Sequence, residues 1–326
     1  MSKIVLLSAP YMLPDRARFL PVFSRYGLDV IAPEVSERLE EPELLKLAGQ
    51  FDGAICGDDR FTPEVLSACA PRLKVISKWG TGIDSIDREA AAKLGISVRN
   101  TPDAFTDAVA DSVLGYMLAF ARQGPWLDRS MKTGEWKKLV ARSLNESTLG
   151  VIGVGRIGKA VLRRAQSFGM PLLGNDIIEM PFQFLTEVKV KMTSLEEVLT
   201  RSDFISLNCD LNPSSRHLID GAALAKVKPT AVLINTARGP LIDEPALITA
   251  LKSKRLAGAA LDVFEHEPLP STSPLRAMDN VMLAPHNSNA SPVAWERVHW
   301  NTIRNLLDGL GLDAADLNPE DYPPLK

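Results

Sequence analysis

The chain has 326 residues, 45% of them apolar and 24% charged, a balance that predicts a globular protein with room for about two domains. A net charge of -3 excludes the basic surface excess that nucleic acid or an anionic membrane would attract. The three cysteines, Cys56, Cys69 and Cys209, lack metal-ligand spacing and cannot pair completely, which predicts free thiols, a cytoplasmic setting and no metal.

In chain order, Ile4 to Leu7 is an aliphatic run too short for a signal-peptide core, and it reads as a first strand. Asp29 to Ala32, Gly53 to Cys56, Lys74 to Ser77 and Ser97 to Arg99 follow as further strands between helical patterns, which predicts a small parallel α/β domain. Asn100-Thr101-Pro102 breaks the pattern, because a residue before proline avoids helical conformation. From Thr106, DAVADSVLGYMLAFAR has the periodicity of a long, largely buried helix. Strands are then expected at Leu149 to Ile152, Pro171 to Gly174, Phe204 to Asn208, Ala231 to Asn235, Gly258 to Val263 and Val281 to Ala284. Strand and helix alternating in this way describe a second doubly wound sheet. A final amphipathic helix is expected from Pro292 to about Asp308, with LNPEDYPPLK as an irregular tail.

The chemistry concentrates at strand ends. Gly153, Gly155 and Gly158 form a Gly-x-Gly-x-x-Gly turn between the strand ending at Ile152 and a helical pattern. The first glycine permits a tight turn, the second a close approach by a pyrophosphate, and the third close packing of helix on strand. Asp176 ends the next strand, where a carboxylate accepts hydrogen bonds from a ribose diol. Its neighbours Asn175, Ile177, Ile178 and Glu179 bring no cation for a 2'-phosphate, so NAD is expected rather than NADP. Asn235-Thr236-Ala237-Arg238-Gly239, LDVFEHEP and APHNSN also follow strands, and in a doubly wound sheet such ends face one ligand crevice. Arg238 offers a planar fork for a substrate carboxylate. Glu267 and His286 make a carboxylate-imidazole pair, in which the acid orients the ring and favours its charged form.

Taken together, GVIGVGRIGKAV, Asp176, NTARGPLID, GAALDVFEHEP and PHNSN resemble the NAD-dependent D-2-hydroxyacid dehydrogenases, especially their phosphoglycerate dehydrogenase branch. The likeness extends through SKWGTGIDSID and NTPDAFTDAVADSVLGYMLAFAR in the first half. It implies hydride transfer between NAD(H) and a 2-oxo or 2-hydroxy acid. Arg238 would bind the substrate, His286 act as acid and base, and Glu267 support it. Thr106, Arg156, Ile157, Thr236, Ala237 and Asp262 join the cofactor contacts by the same likeness. The implied fold is a Rossmann cofactor domain, residues 102–291, inserted in a flavodoxin-like substrate domain made of residues 1–101 and 292–326. A homodimer built through the long helix and the segment with Trp126 and Trp136 is implied as well.

Lys78, Gly80 and Thr81 are expected at the substrate, where Lys78 would neutralise a phosphate and favour phosphohydroxypyruvate. Without that role a hydroxypyruvate or glyoxylate reductase is the better reading. Asn287, Ser288 and Asn289 stand after His286 where the family usually has glycines, which changes the space near the nicotinamide. An NAD-sensing corepressor of the same fold is the reading from another class.

Overall fold

The short apolar runs pair into two sheets in which every strand pair is parallel. The computed structural model describes residues 2–323. Two units emerge: residues up to 105 together with those from 290 onward, and residues 106–289.

The first unit contains β1 (Lys3–Leu7), β2 (Leu28–Ile31), β3 (Gly53–Cys56), β4 (Val75–Lys78) and β5 (Ser97–Arg99), ordered β2-β1-β3-β4-β5. Every residue of β3 and β4 is buried, which explains why β3 reads as a continuous apolar run without alternation, while β4 ends on the buried polar pair Ser77 and Lys78. The helix Pro292–Gly309 lies on this sheet, capped by the Ser291 side chain, which accepts from the Ala294 N–H. Two glycines permit the close fit. A Cβ on Gly53 would stand 2.7 Å from Leu306 Cδ1, and one on Gly309 would stand 2.3 Å from Val75 Cγ2. Ile303, Leu306 and Leu307 are fully buried there, each contributing about 2 kcal/mol of apolar transfer.

The second unit contains β6 (Leu149–Ile152), β7 (Leu172–Asn175), β8 (Lys191–Met192), β9 (Phe204–Leu207), β10 (Val232–Asn235), β11 (Gly258–Leu261) and β12 (Val281–Leu283). Their order is β12-β11-β10-β9-β6-β7-β8, so the winding reverses between β6 and β9. One face is covered by a cluster that includes Val113, Met117, Val161 and Ile234, the other by one that includes Ile205, Leu224, Leu233 and Leu247. The helix Thr106–Arg122 buries Val109, Ala110, Val113, Leu114, Met117 and Ala121, the helical spacing read from its sequence.

Three elements differ from expectation. β8 is two residues long at the sheet edge, too short to show a period. A separate helix, Gly124–Lys132, follows the long one because Gln123 takes a left-handed conformation with φ 57° and breaks the run. The tail holds a single 3-10 turn at Pro319–Asp321, where Asn318 accepts from the Glu320 N–H.

Candidate active site

The glycine turn sits at the reversal between β6 and β9, the place where an open α/β sheet leaves a crevice beyond its strand ends. Gly153 has φ 88°, and a Cβ there would meet the Cys209 backbone nitrogen at 2.4 Å. A Cβ on Gly158 would stand 2.1 Å from the Gly153 carbonyl oxygen, so the helix Arg156–Ser167 packs hard against the turn. Gly155, by contrast, faces open space. That space adjoins a helix N-terminus with no acidic residue in its first turn, a suitable seat for a pyrophosphate. Arg156 is exposed beside it, Ile157 is half-buried, and Thr106 is half-buried at the start of the long helix.

The Asp176 carboxylate accepts from the Val154 N–H at 2.6 Å and from the Ile178 N–H at 2.9 Å. One lone pair on each oxygen is spent on these two bonds, which hold the turn to the end of β7. Asp176 also borders a hollow of about 320 Å³ with Ile177, Ile178, Glu179, Met180, Leu185, Met192 and Thr193. No cation lines it. Ile177 is 97% exposed, an apolar surface that a planar base can cover. Further along the sheet edge, Asn208 Oδ1 and Thr236 Oγ1 are buried atoms without a hydrogen-bond partner. Orphaned polar atoms of this kind beside a glycine cradle fit a polar ligand such as NAD. Sequence reasoning had not singled out Asn208; its position just after β9 was the available signal.

The residues expected to carry the chemistry, Arg238, Glu267 and His286, follow β10, β11 and β12, which are neighbours in the sheet. Asn235 ends β10, and its side chain accepts from the Ala237 N–H and donates to the Arg238 carbonyl, bending the chain so that Arg238 leaves the strand end. Arg238 donates from Nη1 to the Ala237 carbonyl at 2.8 Å. Gly239 is obligatory for a steric reason: a Cβ would lie 1.9 Å from the Phe264 carbonyl carbon. The Arg238 turn and the Glu267 loop therefore touch through their backbones.

Glu267 Oε1 accepts from the Phe264 N–H at 2.9 Å, and Oε2 lies 3.0 Å from His286 Nδ1. The side chains of His286 and Glu267 are 19% and 14% exposed. Nδ1 is thus the ring nitrogen turned to the glutamate, which orients the imidazole. His286 has φ 51°, held by its N–H on the Asp262 carbonyl. Asp262 is 1% exposed, and its two oxygens accept from the N–H groups of Asn287 and Ser288 at 2.8 Å each. Its carboxylate thus braces the loop after His286. Backbone N–H groups supply this bracing whatever side chains follow His286, so Asn287 and Ser288 in place of glycine leave the histidine in position.

In the first unit the expected substrate residues have different surroundings from those anticipated. Lys78 is 4% exposed, its Nζ lies 3.0 Å from Asp58 Oδ1, and it donates to the Trp79 carbonyl at 3.0 Å. The ammonium is thus matched by a carboxylate of its own unit rather than standing as a lone charge. Gly80 has φ 117°, and its N–H is taken by Thr101 Oγ1 at 3.1 Å, so this donor serves the loop. Thr81 donates through Oγ1 to the Thr101 carbonyl at 3.2 Å, tying the turn to the same residue.

Comparison with known proteins agrees with this geometry. Residues 114–288 match the family described as D-isomer specific 2-hydroxyacid dehydrogenase, NAD binding domain. The chain is 42% identical over 273 residues to a glyoxylate reductase of Thermofilum pendens, covering 81% of this chain and 80% of that protein. It is 42% identical over 265 residues to a D-3-phosphoglycerate dehydrogenase of Methanocaldococcus jannaschii, covering 80% of this chain and 50% of that protein. The crystal structure of a glyoxylate reductase from Paecilomyes thermophila superposes with a TM-score of 0.82 at 32% identity, covering 95% of each chain. On these matches the chain belongs to the D-isomer specific 2-hydroxyacid dehydrogenase family of NAD-dependent oxidoreductases.

Proposed function

We propose that the chain reduces a short 2-oxo acid to the corresponding D-2-hydroxy acid, with Arg238, His286 and Glu267 as the reacting set. The Glu267–His286 contact of 3.0 Å carries this reading, because a carboxylate at that distance orients the imidazole and supports its charged form, as an acid-base group requires. NADH supplies the hydride. Arg238 holds the substrate carboxylate and polarises the keto oxygen, His286 gives that oxygen its proton from Nε2, and Glu267 supports the positive ring before transfer. In the oxidative direction the neutral ring takes the hydroxyl proton back. Gly153, Gly155 and Gly158 would seat the pyrophosphate, Asp176 the adenosine ribose, and Thr236, Ala237 and Asp262 the nicotinamide end. Arg156, Ile157 and Thr106 border the cofactor in the same reading, and the unit carrying Lys78, Gly80 and Thr81 takes the substrate.

The test is NADH oxidation with glyoxylate, hydroxypyruvate, pyruvate and phosphohydroxypyruvate. Turnover with at least one of them, lost in His286→Ala, supports the reading. Failure of all four would remove it.

We further infer a homodimer and a cytoplasmic setting. The helix Gly124–Lys132 buries none of its residues, and Met131, Trp136 and Val140 are 51%, 83% and 93% exposed, an apolar stretch that a second copy of the chain would cover. Cys56, Cys69 and Cys209 are all free thiols, which suits a reducing compartment. Among the described residues no helix is long and apolar enough to cross a membrane.

A further inference from the structure

Three neighbouring strand ends of the second unit carry an arrangement that the hydride and proton steps do not use. β9, β10 and β11 lie side by side in the sheet, and the segments after them hold His217, Arg238 and Glu265 in turn. The Arg238 turn is therefore the middle of the three. On one side the His217 N–H donates to the Pro240 carbonyl at 2.8 Å and the Ile219 N–H to the Leu241 carbonyl at 3.0 Å. On the other, a Cβ on Gly239 would lie 1.9 Å from the Phe264 carbonyl carbon and 2.5 Å from the Glu265 nitrogen. The two outer segments are then joined to each other, because His217 Nε2 lies 2.5 Å from Glu265 Oε1, with side chains 36% and 17% exposed. The circuit is closed: it runs from the His217 backbone through Pro240 and Gly239 to the Glu265 backbone, and returns through the two side chains. His217 makes its contacts from φ 51°, a left-handed conformation that few side chains adopt. Glu265 is fixed from behind, where its N–H donates to Glu244 Oε2 at 3.3 Å and Glu244 opens the helix Glu244–Lys252.

We propose that His217 and Glu265 are positioning residues for Arg238: their side-chain contact completes a clasp on the 238–240 turn, fixes how the guanidinium is presented, and so sets the affinity for the substrate carboxylate without touching the reacting atoms. A hydrogen bond to a charged partner is stronger than one to a neutral partner, so the clasp needs a carboxylate at 265 and not merely an acceptor. The proton step is insulated from it, because Glu267 has its own bonds to the Phe264 N–H and to His286 Nδ1. The assignment rests on the oxidoreductase reading above, in which Arg238 holds the carboxylate. It gives the two histidine-glutamate pairs of this edge separate tasks, one in binding and the other in proton transfer.

The experiment uses the full chain with NADH and reads KM and kcat for glyoxylate and hydroxypyruvate, together with the Kd of oxamate, a carboxylate that is not reduced, in the NADH complex. Glu265→Ala should raise KM and the oxamate Kd by about tenfold, the loss of one charge-assisted hydrogen bond, while kcat falls by no more than about threefold. Glu265→Gln keeps an acceptor and loses the charge, so its rise should be about threefold. His217→Gln, whose amide nitrogen takes the place of Nε2, should behave likewise. The double glutamine variant should be no worse than either single one, because a clasp opened once has nothing further to release. NADH affinity should stay at the wild-type value throughout. The glutamine variants keep volume and shape, so they decide even where the alanine chain does not fold. An unchanged KM and oxamate Kd in an active Glu265→Gln enzyme overturns the clasp. So do additive losses in the double variant, and so do equal falls in kcat and NADH affinity, which a merely structural role would produce. A wild type that neither turns over a 2-oxo acid nor binds oxamate overturns it by removing the oxidoreductase reading beneath it, an outcome distinct from the others.

Discussion

His217 and His286 share one geometry: both have φ 51°, and each puts a ring nitrogen on a glutamate of the same short loop, His217 Nε2 on Glu265 at 2.5 Å and His286 Nδ1 on Glu267 at 3.0 Å. Their surroundings separate their roles. The His217 N–H donates to the Pro240 carbonyl, so this residue braces the turn that begins with Arg238. His286 follows β12, at the strand end where the proposed reaction would need a proton. We expect His286→Ala to lower kcat by about 10² to 10⁴ while NADH still binds. His217→Ala should mainly raise KM by loosening the Arg238 turn, with kcat falling less than about tenfold. Steady-state kinetics on the two variants compares them directly, and a kcat collapse in His217→Ala alone would exchange their roles.

Cofactor choice turns on Asp176. Its carboxylate holds the Val154 and Ile178 N–H groups and leaves negative charge toward the ribose position, with no cation lining the adjoining hollow. NADH should give at least tenfold higher kcat/KM than NADPH, a difference of about 1.4 kcal/mol. Asp176→Ala should narrow the gap mostly by weakening NADH, because it loosens the glycine turn as well as the ribose contact. Equal use of both cofactors by wild type would contradict the argument.

Two buried groups of the first unit give opposite pH dependences. Burial pushes the Asp59 carboxyl up from its ordinary value to about 6, so its favourable contribution is full below pH 3.8 and lost as pH rises to 6. Burial lowers His299 to about 4, with Arg18 adding to the effect and Glu296 opposing it. The neutral ring accepts from Trp79 Nε1 at 2.9 Å, and its contribution is present above pH 6.5 and lost as pH falls to 4. Each is worth about 3 kcal/mol, so the two largely offset between pH 4 and 6. Denaturant midpoints across this range should fall more steeply with acid in Asp59→Asn than in wild type. In His299→Gln, which keeps an acceptor for Trp79, the difference from wild type should run the other way. Parallel profiles for all three proteins would show that neither group titrates as described.

Assembly can be read from mass. Light scattering should give twice 35.6 kDa at micromolar concentration, and Trp136→Glu, which charges an 83% exposed indole, should shift the population toward monomer. A monomeric wild type would leave the apolar stretch around Met131, Trp136 and Val140 without its proposed partner.

Much of this architecture was legible because the sheets are parallel and buried on both faces. Strands such as Gly53–Cys56 and Leu149–Ile152 appear as unbroken apolar runs, and their ends locate the chemistry without knowledge of the packing. The pairing of Glu267 with His286 was legible from residue types at successive strand ends. What stayed hidden depends on long-range contact. Nothing in SKWGTGID shows that Lys78 meets Asp58, twenty residues earlier, and a paired lysine reads the same as a free one. The orphaned Asn208 oxygen is visible only once β9 and its neighbours are assembled, and β8 has too few residues to carry a period.

The glycines at 53 and 309 also bear on the order of synthesis. They let the helix Pro292–Gly309 lie flush on a sheet made from the first hundred residues, so one face of that sheet is completed by chain that emerges after the whole 106–289 unit. The emerging amino-terminal part has Gly53, Val75 and their neighbours uncovered until then, while the inserted unit already has everything it needs to close its own core. A ribosome paused near residue 290 would therefore carry one finished body and one open apolar sheet. The open sheet is where a trigger-type chaperone would be expected to bind and where a truncated product would begin to aggregate.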